Sequence, residues 1–168
     1  MRIFIIGFMG SGKTTFGRKL AKKLGYRFAD TDKLIEQKLG LTITEIFSSL
    51  GQQKFRDEEQ LLLEEFGLHD DIVYATGGGL PCFSGNIEKI NELGISIYMQ
   101  LTPEALYSRL ATSGARRPLL EGKEGDVLLA YITKELNRRE KYYLKAQIVA
   151  GALSISPELV IGMLKHFG

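Results

Sequence analysis

Short apolar runs alternate with longer amphipathic segments along this chain. The runs are rich in β-branched and aromatic residues, which favours buried strands, and they cover residues 2–6, 26–29, 72–75, 95–101 and 147–150. Strands that alternate with helices predict a parallel sheet covered by helices on both faces. We therefore expect an α/β fold with three layers, built as a single domain over residues 1–168.

The segments between the runs carry apolar residues at helical spacing. They predict helices over residues 13–24, 31–39, 42–66, 84–93 and 126–144, with two more starting at Thr102-Pro103 and Ser156-Pro157. Thr42 followed by Glu45 has the spacing of a capping box. Residues 113–125 are polar, contain glycine and arginine, and show no apolar period, which predicts an irregular segment.

Three chemically distinctive stretches follow the first three predicted strands. They read GFMGSGKT, DTD and TGGG. Ligands of open parallel sheets bind beyond the carboxyl ends of the strands, and these ends share one edge. The three stretches are therefore expected to meet in one site.

The first stretch matches the phosphate-loop pattern G-x-x-x-x-G-K-[ST] in full, at Gly7, Gly12, Lys13 and Thr14. The glycines let backbone N–H groups face inward, and the helix that follows adds its positive end. Lys13 supplies a charge for the phosphates, and Thr14 a hydroxyl for Mg²⁺. A nucleoside triphosphate site follows from this pattern, but kinases, GTPases and motor ATPases all share it.

The acidic stretch offers two interpretations. One carboxylate of Asp30 and Asp32 could hold the water shell of Mg²⁺ and the other accept a proton from a substrate hydroxyl. Alternatively, aspartate at a strand-to-helix junction is a common helix cap. Proximity to the phosphate loop favours a functional role for Asp32.

The remaining polar candidates also have structural alternatives. The three consecutive glycines, Gly77 to Gly79, would let backbone N–H groups approach a small ligand, or they form a simple tight turn. Arg56 could lie on a solvated helix face, paired with Glu58 or Glu59. Arg117 suits a lid that neutralises phosphate charge, or an exposed basic loop. Cys82 is expected to be a packed thiol.

Composition narrows the classes of function. A formal net charge of +2 is too small to indicate nucleic acid or an anionic membrane as partner. One cysteine allows no intramolecular disulfide, and neither a signal-peptide pattern nor a membrane-span window is found. We expect a cytoplasmic monomer.

Taken in order, these stretches closely resemble shikimate kinase over nearly the whole chain. GFMGSGKTT is similar to that family's phosphate loop, ADTD to its aspartate pair and GQQKFRDEE to its G-E-x-x-F-R-x-x-E stretch. TGGG, RRPLL and RREKYY resemble its glycine triplet, its lid and its R-x-P-L-Y segment. Two departures are Gln52 in place of glutamate and Lys141 in place of proline.

The resemblance implies a P-loop kinase fold with strand order 2-3-1-4-5, a lid at about residues 112–125 and a substrate-binding helical region at about residues 32–66. It also implies transfer of the γ-phosphoryl group of ATP to the 3-hydroxyl of shikimate, giving ADP, in the route to chorismate and the aromatic amino acids.

The same resemblance implies a role for each matching residue. Catalytic roles fall to Lys13, Asp32 and Arg117. Nucleotide contacts fall to Gly10, Ser11, Gly12, Lys13, Thr14, Thr15, Arg109, Arg117 and Pro157. Shikimate contacts fall to Asp32, Arg56, Gly77, Gly78, Gly79 and Arg139. Mg²⁺ contacts fall to Thr14 directly and to Asp30 through water. The adjacent Arg138 competes with Arg139, because only one of two neighbouring helical residues can face the cleft squarely.

Three other functions remain alternatives at this point. The first is another small-metabolite kinase of the same fold, such as a gluconate kinase. The second is a nucleotide-dependent switch, although the chain has no N-K-x-D segment for guanine. The third is a silent nucleotide-binding module that has kept its pocket.

Overall fold

The structure is a computed structural model, and it describes residues 1–83, 85–113 and 117–167. Five parallel strands form one sheet in the order β2-β3-β1-β4-β5, which confirms the predicted order. The strands are β1 (Arg2–Ile6), β2 (Arg27–Asp30), β3 (Ile72–Ala75), β4 (Ile95–Gln100) and β5 (Ile148–Gly151). Because β1 lies between β3 and β4, the loop that follows β1 occupies the middle of the sheet edge.

Eight helices surround this sheet in the described residues. They are α1 (Lys13–Leu24), α2 (Thr31–Leu39), α3 (Ile43–Glu45), α4 (Gly51–Glu65), α5 (Asn86–Leu93), α6 (Pro103–Thr112), α7 (Gly125–Tyr143) and α8 (Pro157–Leu164). The start signals behave as predicted: Thr102 and Ser156 accept hydrogen bonds from backbone N–H groups of α6 and α8, each followed by a proline.

Alternating residues of the central strand feed two separate cores. Ile3 and Ile5 pack with apolar residues of α1 and α8, whereas Phe4 and Ile6 pack with residues of α4 to α7. This division follows from the two-residue period of a strand, whose successive side chains point to opposite faces. The result is the predicted three-layer arrangement of helix, sheet and helix.

The prediction of one continuous helix over residues 42–66 is wrong. The segment consists of α3, a π-helical turn (Ile46–Leu50) and α4. The break falls at Gly51, whose φ of 85° and ψ of 162° lie outside the helical region. The capping box of Thr42 and Glu45 is present as predicted, so the start of the segment was correct.

The predicted lid is described only in part, because residues 114–116 lie outside the described residues. A short 3-10 helix (Pro118–Leu120) follows Arg117, and α7 begins at Gly125. The division into lid and substrate-binding region stays a prediction. Among the described residues, no helix combines the length and the apolar character that crossing a membrane requires.

Candidate active site

The loop between β1 and α1 has the backbone geometry of an anion site. Gly10 and Gly12 have φ angles of 80° and 94°, which strain any other L residue. Ser11, between them, is buried, and its Oγ has no hydrogen-bond partner among the described residues. Since α1 begins at Lys13, the positive end of its dipole lies at the loop. An anion in the loop would meet these donors.

The Lys13 side chain folds back over this loop. It is 8% exposed, and its Nζ donates to the carbonyl oxygen of Phe8 at 2.8 Å. Burial lowers the pKa of Lys13 to about 8, and the nearby Asp32 carboxylate opposes that shift. A phosphate bound here would provide the counter-charge that favours the protonated amine.

The two aspartates after β2 have different surroundings. Asp30 is the N-cap of α2, since its Oδ1 accepts hydrogen bonds from the backbone N–H groups of Asp32 and Lys33. Its Oδ2 accepts a hydrogen bond from Thr14 Oγ1 at 2.6 Å. Asp30 therefore caps α2, and it also lies next to the Thr14 hydroxyl, the candidate ligand of Mg²⁺.

Asp32 is the aspartate that keeps a free oxygen. Its Oδ1 is buried and has no hydrogen-bond partner among the residues that the structure describes. Burial raises the pKa of Asp32 to about 6, with the Asp30 carboxylate adding to the shift and Lys13 and Arg117 opposing it. A carboxylate with an unused oxygen between these cations is suited to accept a hydrogen bond from a substrate hydroxyl.

A side chain at either outer position of the glycine triplet would displace a neighbouring site residue. A Cβ at Gly77 would lie 2.6 Å from Asp32 Oδ1, and one at Gly79 would lie 2.6 Å from Arg56 Nη1. Gly78 lies against the phosphate loop, where a Cβ would be 3.3 Å from the backbone nitrogen of Met9. The triplet thus joins the loop, the aspartate and the arginine, which is more than a tight turn requires.

Arg56 does not lie on a solvated face, so the surface interpretation is wrong. Its side chain is 12% exposed and pairs with Glu59, which is 1% exposed. Its guanidinium carbon lies 4.4 Å from the centre of the Phe83 ring. The carboxylate and the ring hold the guanidinium at the edge of the glycine triplet.

The structure distinguishes the two adjacent arginines of α7. The Arg139 side chain is 5% exposed and lines the same cavity as Asp32 and Arg56, whereas the Arg138 side chain is 53% exposed. The reason is helical phase, since the face that buries Leu136 and Tyr143 also buries Arg139. Arg139 is therefore the better candidate for a substrate contact.

Glu135 is a polar neighbour of this site that the sequence reasoning missed. Its Oε2 accepts hydrogen bonds from Arg139 Nε at 3.2 Å and Nη2 at 3.0 Å, and it also pairs with Arg138. The signal was available, because Glu135 precedes Arg139 by four residues on a predicted helix.

The lid arginine lies near the aspartate, and Arg109 lies behind the loop. Arg117 Nε is buried without a hydrogen-bond partner among the described residues. Burial lowers the pKa of Arg117, and the Asp32 carboxylate opposes that shift. Arg109 Nη1 donates to the carbonyl oxygen of Ser11 at 3.3 Å. Arg109 is thus brought to the loop, while its contact with the nucleotide stays a prediction.

Among the described residues, two with predicted nucleotide contacts, Thr15 and Pro157, make no contact with the other site residues that would indicate their role. Thr15 is exposed in the first turn of α1. Pro157 begins α8, where the next residue, Glu158, pairs with Lys23 in the last turn of α1. Their roles at the nucleotide stay predictions. Cys82 is a packed thiol as expected, since it is buried and burial raises its pKa to about 11.

A cavity of about 740 Å³ connects the parts of this site. Its lining includes Thr14 and Asp30 beside the loop, Asp32 in the middle, and Arg56, Arg139 and Arg117. The cavity is within the size range of small-molecule sites, roughly 300–1,000 Å³. Three arginines and the Asp32 carboxylate line a space next to a phosphate loop, which suits a small anionic polyol.

Glu59 gives the site a testable effect on stability. Burial raises the pKa of Glu59 to about 7 against the opposing effect of Arg56, with Asp32 adding to the rise and Arg139 opposing it. The folded protein therefore holds this proton to higher pH than the unfolded chain, so stability should fall as pH rises through that range. We expect the free energy of unfolding of the wild type, relative to Glu59→Gln, to fall by about 1–3 kcal/mol between about pH 5 and pH 8.

Urea unfolding of both proteins across that pH range measures the difference. Glu64→Gln, an exposed position on the same helix, is the matched control and should follow the wild type. Parallel pH profiles for the wild type and Glu59→Gln would contradict the assignment.

Comparisons with known proteins agree with this geometry. The family model described as shikimate kinase matches residues 9–164. A shikimate kinase of Bacteroides fragilis is 41% identical over 149 residues, which cover 89% of this chain and 83% of that protein.

Two solved structures are similar over nearly the whole chain. The shikimate kinase of Bacteroides thetaiotaomicron superposes with a TM-score of 0.89 at 36% identity, covering 99% of this chain and 97% of that one. The shikimate kinase of Acinetobacter baumannii, solved in complex with shikimate, superposes with a TM-score of 0.86 at 32% identity, covering 99% and 92%. Together with the family match, these similarities show that the chain belongs to the shikimate kinase family.

Proposed function

We propose that this chain transfers the γ-phosphoryl group of ATP to the 3-hydroxyl of shikimate, giving shikimate 3-phosphate and ADP. The step belongs to the route to chorismate and the aromatic amino acids. The observation that carries the proposal is the position of Asp32. Asp32 shares with Arg56, Arg117 and Arg139 a cavity beside the phosphate loop, and its Oδ1 has no hydrogen-bond partner among the described residues.

The donor half of the site is the loop with Lys13 and Thr14. Backbone N–H groups of the loop and the end of α1 would hold the β- and γ-phosphates, and Lys13 would leave the Phe8 carbonyl to pair with them. The residues also fit Mg²⁺, because Thr14 Oγ1 and Asp30 Oδ2 lie 2.6 Å apart and are hard oxygen ligands. The ion would neutralise phosphate charge when bound.

The acceptor half binds the carboxylate of shikimate. Arg56 and Arg139 each keep part of the guanidinium free of their glutamate partners, and planar guanidinium groups match a carboxylate in two-point hydrogen bonds. Gly78 and Gly79 offer backbone N–H donors at the same place, whereas the N–H of Gly77 already donates to Thr31 Oγ1 at 2.8 Å. The shikimate contact predicted for Gly77 is therefore made through its close packing on Asp32. The A. baumannii relative with bound shikimate supports this choice of ligand.

Catalysis in this arrangement is mainly positioning and charge stabilisation. Asp32 orients the 3-hydroxyl toward the γ-phosphorus and receives its proton as the new P–O bond forms and the bond to ADP breaks. Lys13 and Arg117 stabilise the negative charge on the transferring group. Burial of Lys13 and of the Nε of Arg117 strengthens this effect, since electrostatic interactions weaken in water.

The oligomeric state, the ligands and the cellular location are also proposals. Since all proposed site residues come from one chain, a monomer with ATP, ADP and shikimate as ligands suffices, acting in the cytoplasm without nucleic acid or membrane. Sedimentation at enzyme concentrations used in assays tests the monomer.

Identification of the product tests the function. Incubation with ATP, Mg²⁺ and shikimate should give one new phosphate monoester, placed on the 3-oxygen by phosphorus–proton coupling in NMR spectra. Chelation of the metal should stop its formation and added Mg²⁺ should restore it. A product phosphorylated elsewhere on the ring would overturn the proposed placement of Asp32 against the 3-hydroxyl.

A further inference from the structure

Tyr143 lies directly beneath the glycine triplet. Its hydroxyl donates to the carbonyl oxygen of Gly78 at 2.5 Å, and its ring is fully buried. The ring packs on that of Tyr98, with the two ring centres 5.1 Å apart. This hydrogen bond joins residues 65 positions apart and links the end of α7 to the loop after β3.

The bond fixes more than the carbonyl group. The carbonyl of Gly78 and the N–H of Gly79 belong to one peptide unit, which is trans and planar, so the two groups point in opposite directions. A donor that holds the carbonyl on the α7 side therefore directs the Gly79 N–H away from α7.

The direction of this N–H matters because of what surrounds it. Gly79 lies against the Arg56 guanidinium, and Gly78 lies near Arg139, whose Nη1 would be 3.7 Å from a Cβ there. Among the described residues, the Gly77 N–H donates to Thr31 Oγ1, whereas the Gly79 N–H donates to no protein acceptor and is available. Glycine alone would let this peptide rotate, because it has no Cβ to restrict its backbone.

We propose that Tyr143 is a positioning residue, whose hydroxyl orients the Gly78–Gly79 peptide so that the Gly79 N–H meets the carboxylate of the acceptor. This rests on the proposed function, in which the arginines of the same cavity bind that carboxylate. Tyr143 remains a donor across the working pH range, because burial raises its pKa well above the ordinary value. Its place four residues after Arg139 sets both groups on one face of α7.

Tyr98 provides a matched control for the alternative of simple core packing. Tyr98 is also buried, and its ring packs against that of Tyr143. Its hydroxyl donates to Glu140 Oε1 at 3.2 Å and not to the glycine triplet. Cys82 is a second control, since its Sγ is a weak donor 3.8 Å from the same carbonyl oxygen.

The experiment compares steady-state kinetics of Tyr143→Phe, Tyr98→Phe and Cys82→Ala with the wild type. Tyr143→Phe should raise the KM for shikimate about tenfold, the effect of losing one ordinary hydrogen bond. The KM for ATP should stay within about twofold, because the change lies on the acceptor side. Tyr98→Phe and Cys82→Ala should keep the KM for shikimate within about twofold of the wild type.

The outcomes separate the proposal from the function on which it rests. No shikimate-dependent ADP formation by the wild type would sink the proposed function. An active wild type with an unchanged KM for shikimate in Tyr143→Phe would overturn the positioning role alone, as would equal rises in Tyr143→Phe and Tyr98→Phe. If Tyr143→Phe does not fold, 4-fluorophenylalanine at position 143 fills the hydroxyl's volume without a donor and should give the same tenfold rise.

Discussion

Replacing Asp32 by asparagine should lower the kcat for shikimate phosphorylation about 10²- to 10⁴-fold, the range that a positioned proton acceptor contributes. Asparagine keeps the size of the side chain but cannot take up the hydroxyl proton. The dissociation constant for ATP should stay within about twofold, because the substitution lies on the acceptor side and leaves the phosphate loop and Lys13 unchanged. Single-turnover rates and equilibrium nucleotide binding measure the two effects separately.

The control for this substitution is Asp57→Asn. Asp57 is exposed on α4 and contacts Gln53, outside the cavity lining. It should leave both quantities unchanged. An Asp32→Asn enzyme with the kcat of the wild type would remove Asp32 from the mechanism, and equal losses in ATP binding would move it to the donor half.

Replacing Arg139 by alanine should raise the KM for shikimate about 10²-fold, since it removes a charge-assisted contact and leaves Glu135 with one partner. Arg138→Ala should change that KM less than about threefold, because its side chain is 53% exposed outside the cavity and exposed ion pairs contribute little. The two variants remove the same charge at adjacent positions. Steady-state assays with shikimate as the varied substrate make the comparison.

The two variants also distinguish a direct contact between Arg139 and the substrate from attraction of the substrate by the overall charge of α7. If the overall positive charge of α7 attracted the substrate, both substitutions would raise the KM equally. That result, or a larger effect at Arg138, would contradict the assignment of Arg139. If Arg139→Ala raised the KM for ATP and not that for shikimate, Arg139 would be a contact of the nucleotide.

The sequence predicts the donor half of this site well because its chemistry is local. The phosphate loop needs a strand, fixed glycines, a lysine and a helix start within about fifteen residues, and all are consecutive here. Helix starts such as Thr42 and Ser156 are likewise decided by three or four neighbouring residues.

The positions of the arginines are harder to predict from the sequence, because contacts with residues distant in the chain decide them. Whether Arg56 is exposed depends on Phe83 and Gly79, which lie in another loop. The choice between Arg138 and Arg139 depends on the phase of α7 against the sheet, which a shift of one residue reverses.

Two further features, the break in the helix over residues 42–66 and the cap of α2, depend on local backbone geometry. The helix predicted over residues 42–66 is interrupted because Gly51 adopts a positive φ, which the spacing of apolar residues does not reveal. The residue types alone do not decide whether Asp30 or Asp32 caps α2, and only the backbone geometry shows that Asp30 does.

The central claim is that the cavity beside the phosphate loop accepts shikimate. A coupled assay of ADP release, with ATP and Mg²⁺ and either shikimate or gluconate as acceptor, tests it most directly. We predict shikimate-dependent ADP release well above the rate without acceptor, and no acceleration by gluconate. ADP release that gluconate accelerates and shikimate does not would contradict the claim.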